Sequence, residues 1–298
     1  MKKIITIGII ALLFGIALIP SGTSEQINEI NNTSNHGLKN LFRFQGVLNI
    51  NTNYTGEPIK PLVELREITI NVSYTVTRGS LFGGELIYSL YEGRAVDINL
   101  ELIEYPEWAT VELTKNTFTA QVPKALGEEL KYNVRIEVSV NEDAPAFTSG
   151  VIYLKAMAEP VKGLFGIFTR VAPFEQIFSI GIMADYLNIC NVIPESNCIE
   201  TPPLNVSIIP IKIQNLGNGR TKFNLNITEY PDNCTTFIVT DEFILDSDSY
   251  LYSYLIIIPN ENFNGTDLVK LQVNSCYAYD HELKGNPINA VITIFYDQ

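Results

Sequence analysis

The chain holds two histidines in 298 residues, His36 and His281. A hydrolase built on a Ser-His-Asp relay needs one of them between a nucleophile and a carboxylate. His36 lies in a polar, Asn-rich stretch, His281 sits in "YDHELKGN", and nothing in the sequence places a serine beside either. The HExxH, GxSxG and phosphate-loop patterns are missing from the sequence. The residues therefore predict a protein that is not an enzyme, with no catalytic residues and no cofactor.

Carboxylates gather once, in "TDEFILDSDSY", as Asp241, Glu242, Asp246 and Asp248. Hard oxygen ligands of this kind hold Ca²⁺. However, Tyr250 stands where a third ligand belongs and no glycine follows. The segment reads as an acidic turn between strands, and no metal site is assigned. Sugar binding would call on exposed aromatic rings. Trp108 is the only tryptophan, and after a Tyr-Pro turn it is expected to plug the end of a β-sandwich. "YAYDH" at 277–281 is a second aromatic candidate.

Four cysteines occur, Cys190, Cys198, Cys234 and Cys276, without paired C-x-x-C spacing for a metal. An even number suits disulfides in an exported chain. The expected pairs are Cys190–Cys198, around the turn-rich "NVIPESN", and Cys234–Cys276. One difficulty is parity: Val269, Leu271 and Val273 share a face, so Cys276 points away from the core unless a bulge intervenes.

Export is predicted from the start of the chain. Lys2 and Lys3 precede the apolar run Ile4 to Ile19, then Pro20 and "SGTS". A basic start, an apolar stretch and small residues form a secretory signal peptide, 1–24. The apolar run is slightly short for a bilayer span, so membrane attachment is expected only if this segment stays uncleaved. The formal net charge is −13. Losing residues 1–24 removes two lysines and no acid, which argues against nucleic acid as a partner. N-x-S/T sequons recur. The glycosylation candidates are Asn53, Asn71, Asn205, Asn226 and Asn264; Asn31 and Asn32 fall in the leader, and Asn233 has Cys234 in its sequon.

The elements that would carry these residues are strands. "ITINVSYTVT", "VDINLEL", "YNVRIEVSV", "FNLNI" and "INAVITIFY" alternate apolar and polar residues, the pattern of half-buried antiparallel strands. Asn71 and Asn226 take the polar face of theirs. Outside the N-terminal run no stretch has helical period. The chain also repeats itself at an offset of 125: Tyr105-Pro106 meets Tyr230-Pro231, and Phe118 meets Phe243. After a six-residue deletion, Asn141-Glu142 meets Asn260-Glu261. A period near 120 residues is a domain length. The fold class is therefore all-β, with two tandem antiparallel β-sandwiches: leader 25–41, first sandwich 42–158, hinge 159–173, second sandwich 174–298. The apolar run 163–183, with Phe165, Phe168, Phe174 and Phe178, is expected to pack between the sandwiches and to open the second. "NLGNG", Asn215 to Gly219, is expected to form a tight hairpin, since Asn and Gly tolerate the positive φ such a turn demands.

"IPIKIQNLGNGRTKFNLNITEYPDN", Ile209 to Asn233, resembles the immunoglobulin-like modules carried in tandem on archaeal and bacterial surface proteins, of the CARDB-like and NEW3-like types. Gln214 to Gly219, Pro231, and Pro106 with Trp108 in the first copy carry the match, with Pro145 and Gly150 before the closing strand. The first copy departs from the pattern at the turn, where "LYEGRAV" stands. The resemblance implies a non-catalytic spacer, adhesive or structural role at a cell surface, with other surface proteins or glycans as partners. The alternative it leaves open is a glycan-binding accessory module of a secreted carbohydrate-active system.

Overall fold

The computed structural model describes residues 44–78, 88–161 and 171–297. The signal peptide, the leader with His36, Asn31 and Asn32, and most of the predicted hinge with Phe165 and Phe168 lie outside these residues.

Alternation in sequence becomes alternation in burial. The first sandwich contains β1 (Phe44–Thr52), β2 (Leu65–Arg78), β3 (Ala95–Glu104), β4 (Ala109–Leu113), β5 (Thr117–Gln121), β6 (Leu130–Val140), β7 (Ser149–Ala158), β8 (Val171–Ala172) and β9 (Phe174–Met183). The second contains β10 (Cys190–Pro194), β11 (Cys198–Glu200), β12 (Ser207–Asn215), β13 (Thr221–Glu229), β14 (Cys234–Ile238), β15 (Glu242–Leu245), β16 (Tyr250–Pro259), β17 (Gly265–Tyr277), β18 (Asp280–Lys284) and β19 (Ile288–Tyr296). In β6, Val134, Ile136, Val138 and Val140 are buried while Asn133 and Arg135 face solvent. Each sandwich encloses its own apolar core, as two sheets with one wet face each must.

The sheet orders are β4-β6-β2-β1-β8 over β5-β3-β7-β9, and β10-β12-β16-β14 over β11-β19-β17-β13-β15. Strand for strand the two orders correspond: β1, β2, β6 and β4 match β10, β12, β16 and β14, and β9, β7, β3 and β5 match β19, β17, β13 and β15. This is immunoglobulin-like sandwich topology. The 125-residue repeat is thus a duplicated fold. Both copies bulge at the same place, between Leu102 and Glu104 and between Ile227 and Glu229. Leu62 and Leu204 share a left-handed φ of 62°. Each donates its N–H to the last residue of the long sixth or sixteenth strand, Val140 O at 3.0 Å and Pro259 O at 2.9 Å.

The boundary between the sandwiches differs from the sequence expectation. Phe174–Met183 does not open the second sandwich. It pairs with β7 along its whole length and buries Phe178, Ile180 and Ile182 in the first core. Period-two alternation fixes which face a strand shows and leaves its partner open, so "FEQIFSIGIM" reads equally well in either copy. The predicted hinge 159–173 therefore falls in sequence between β7 and β9, two paired strands of the first sandwich, and not between the sandwiches. The link between sandwiches is the short stretch 184–189.

Candidate functional site

The segment Asn215 to Gly219 joins β12 to β13 and meets the first sandwich. Asn218 is buried and uses its whole amide. Nδ2 donates to Ala144 O at 2.8 Å and to Asp185 O at 2.9 Å, and Oδ1 accepts from Leu187 N at 2.7 Å. Its backbone carbonyl accepts from Ala146 N at 3.0 Å. One asparagine thus ties the β6–β7 connection, the linker and the second sandwich together. Asn215, fully buried, braces the segment from behind: its Oδ1 accepts from Gly217 N at 3.0 Å, and its Nδ2 donates to Gly219 O at 2.8 Å.

The glycines here serve a different purpose from the one the sequence suggested. The described glycines with positive φ are Gly56, Gly93, Gly127 and Gly265, so Gly217 and Gly219 are not there for a left-handed turn. They are there for closeness. A Cβ on Gly217 would lie 2.2 Å from Leu187 O, and one on Gly219 would lie 2.9 Å from Ala146 Cβ and 3.1 Å from Tyr186. Around them Tyr186 packs at a tilt of 47° against Tyr277, ring centroids 4.8 Å apart, and Phe147 of the first sandwich meets the same Tyr277 ring edge-on at 5.2 Å. The Tyr186 hydroxyl is 2.8 Å from that of Thr221, and burial pushes it up to about 12. Ala184, Tyr186 and Leu187 of the linker are buried. A junction with buried linker residues and a fully bonded asparagine leaves little for the sandwiches to swivel on.

The cysteines do not pair as expected: all four are free. The run Cys190 to Cys198 is no closed loop. β10 pairs with β12 in one sheet and β11 with β19 in the other, so the chain crosses between sheets as it goes. Cys190 Sγ lies 3.9 Å from Ser275 Oγ, whereas Cys198 stands opposite Thr293, level with Leu268. Seven residues of strand separate Ser275 from Leu268, about 23 Å. Cys234 is buried beside Asp267, and Cys276 lies nine residues further along β17, about 30 Å away. Neither pair can be bridged over such spans. The parity difficulty was the correct signal: Ser275 faces the core and Cys276 does not. Burial raises the Cys234 thiol to about 11 and also raises Cys190 and Cys276.

The remaining candidates are dispersed. Among the carboxylates, Glu242 pairs with Lys222 at 2.8 Å and Asp246 with Arg220 at 3.2 Å, the work of an ion-paired turn. Among the described residues no group of His, Cys, Asp and Glu is arranged to hold a metal. His281 is exposed on β18. Trp108 is half-buried against the first core, where a Cβ on Gly150 would strike Pro106 at 2.2 Å and Trp108 at 2.8 Å. Asn53, Asn71, Asn205, Asn226 and Asn264 are all exposed. Sequence reading missed one feature, a row of exposed tyrosines on β16. The signal was present in "YLYSYLIIIP", where both faces of one strand are apolar.

No family model and no curated protein matches this chain. Similar solved structures include a protein of unknown function from Porphyromonas gingivalis W83 (10% identity, 87% of this chain and 98% of that chain, TM-score 0.26). Others are the D0-D1 domain of intimin (11% identity, 84% and 100%, TM-score 0.25) and the D00-D0 domain of intimin (10% identity, 84% and 100%, TM-score 0.30). Likeness at this level carries no inference about function.

Proposed function

We propose that this chain is an exported, non-catalytic cell-surface protein in which two immunoglobulin-like sandwiches form one stiff structural or adhesive arm, of the CARDB-like or NEW3-like kind. The observation that carries the reading is the junction at Asn218. Covalent linkage alone would leave the sandwiches free to swivel, and relative motion is the default for small polar domain contacts. Here a buried asparagine, two glycines that admit close approach and three aromatic rings oppose that motion. Stiffness serves a spacer that must hold a surface at a distance, and contributes nothing to a hydrolase that needs a moving lid. The basic and apolar N-terminal run supports export. The exposure of the five sequon asparagines fits glycan acceptors in that compartment.

The test is topological. The full chain and a chain lacking residues 1–24, each carrying an epitope after Gln298, are expressed and the intact cells treated with protease. The full chain is expected to be secreted or degraded from outside, and the truncated chain to stay protected. Protection of the full chain inside the cell would overturn the proposal.

A further inference from the structure

The outer face of the sheet β10-β12-β16-β14 is apolar where its counterpart in the first sandwich is polar. Along β16 the outward positions are Tyr250, Tyr252, Tyr254, Ile256 and Ile258, and the three tyrosines are 57%, 48% and 41% exposed. Cross-strand register sets Lys212 opposite Tyr252, Pro210 opposite Tyr254, and Ile208 and Phe237 on either side of Ile256. Ile193 of β10 continues the row beyond Lys212. The duplicated fold supplies an internal comparison. The same positions of β6 in the first sandwich are Lys131, Asn133, Arg135, Glu137 and Ser139, and an exposed Arg135–Glu67 ion pair of 3.3 Å crosses that face. Backbone and register are shared, so the apolar face is a property of the second copy's side chains and not a demand of the fold.

We infer that this face is a self-association surface, on which a second copy of the chain stacks with the same face. Two observations favour a copy of this chain over other occupants. The first is charge. The chain has 33 acids against 20 bases, so two copies repel over most of their surfaces. The outward positions of β12, β14 and β16 carry no carboxylate; the acid on this face is Glu195 at the β10 edge, exposed, its N–H donating to Pro210 O at 2.8 Å. The charge on those three strands, Lys212, is held over the Tyr250 ring at 4.5 Å. Along β12, β14 and β16 two acidic molecules can approach without setting carboxylate against carboxylate. The second is composition and size. Interface centres are rich in tyrosine and poor in charge. The face runs about 27 Å along β16 and about 19 Å across four strands. That is roughly 500 Å² in plan, and more as accessible area, against about 800 Å² per partner in an ordinary stable interface. None of the five sequon asparagines occupies an outward position here. Two such faces stack as sheets do, about 10 Å apart, related by a two-fold axis. The inference goes beyond the spacer reading and does not depend on it.

Sedimentation velocity of the purified protein over a hundredfold concentration range ending near 100 μM tests it. The expected result is a dimer that dissociates on dilution. Tyr252→Glu and Tyr254→Glu are each expected to weaken association at least about tenfold, and Arg135→Glu on the counterpart face to leave it unchanged. If a glutamate variant melts early, Phe237→Ser and Ile208→Ser replace it, with unchanged circular dichroism as the criterion of folding. A wild-type chain that stays monomeric at 100 μM overturns the inference. So does a dimer that Tyr252→Glu and Phe237→Ser leave intact. A monomer that binds immobilised oligosaccharides or phospholipid vesicles through Tyr252 would assign the face to that ligand instead, and would equally overturn it.

Discussion

Asn218 Nδ2 lies 2.8 Å from Ala144 O, a hydrogen bond between residues 74 apart in sequence that crosses from the second sandwich to the first. The same amide bonds Asp185 and accepts from Leu187. Replacing it with alanine leaves two carbonyls and one N–H without their partner in a buried place. Asn218→Ala is expected to destabilise the protein by about 3 kcal/mol, read from thermal or urea unfolding. It should also broaden the range of angles between the sandwiches. A loss under about 0.5 kcal/mol would mean that water replaces the amide freely and that the junction is loose.

Glycine substitutions should separate closeness from conformation. Gly217→Ala sets a methyl 2.2 Å from the Leu187 carbonyl and Gly150→Ala one 2.2 Å from Pro106. Each is expected to cost about 2 kcal/mol or more. Gly181, on β9, has open space where its Cβ would go and no positive φ. Gly181→Ala is expected to be neutral or to stabilise by about 0.5 kcal/mol. Melting temperatures of the three variants check the order, and a Gly217→Ala chain as stable as wild type would contradict the packing described.

The thiols offer a third prediction. Four free thiols per chain are expected from titration of the unfolded protein, with no change in melting temperature on adding reductant. In the folded protein exposed Cys198 should react first, and buried Cys234 and half-buried Cys190 should lag. A mass lower by two or four hydrogens would show a disulfide and refute the assignment.

Alkaline pH should destabilise the fold, for a linked reason. The Cys234 thiol rises from 9.0 to about 11, and the Tyr88 and Tyr186 hydroxyls from 10.0 to about 12. Between those values the unfolded chain has released protons that the folded chain keeps. By linkage these groups leave stability unchanged below pH 9 and lower it as pH climbs from 9 towards 12. Urea midpoints at intervals from pH 7 to 11 would show it; a midpoint that rises above pH 9 would contradict the burial of these groups.

Strands and duplication were legible because period two and a 125-residue echo are both local properties of the string. Ile98 faces Phe118 and Phe223 faces Phe243 in the same register, as the alignment implied. What the string did not carry was partnership. β9 alternates as a strand of either sandwich would, and only pairing with β7 assigns it to the first. Asn215 to Gly219 has turn composition, so a local rule explained it, although its glycines answer to Leu187 and Ala146. The Cys234–Cys276 pairing takes no account of the nine-residue span of β17 from Asp267 to Cys276. Tyr252 and Tyr254 were invisible as a surface because one strand does not reveal which of its two apolar faces is covered.

Small-angle X-ray scattering of the chain bearing Tyr252→Glu, which keeps self-association out of the measurement, reads the stiffness of the junction. The expected result is a curve that a single fixed arrangement of the two sandwiches reproduces, with the same maximum dimension at low and high salt. Asn218→Ala in the same background should require a spread of arrangements. A Tyr252→Glu chain that already requires such a spread would contradict a stiff two-sandwich arm.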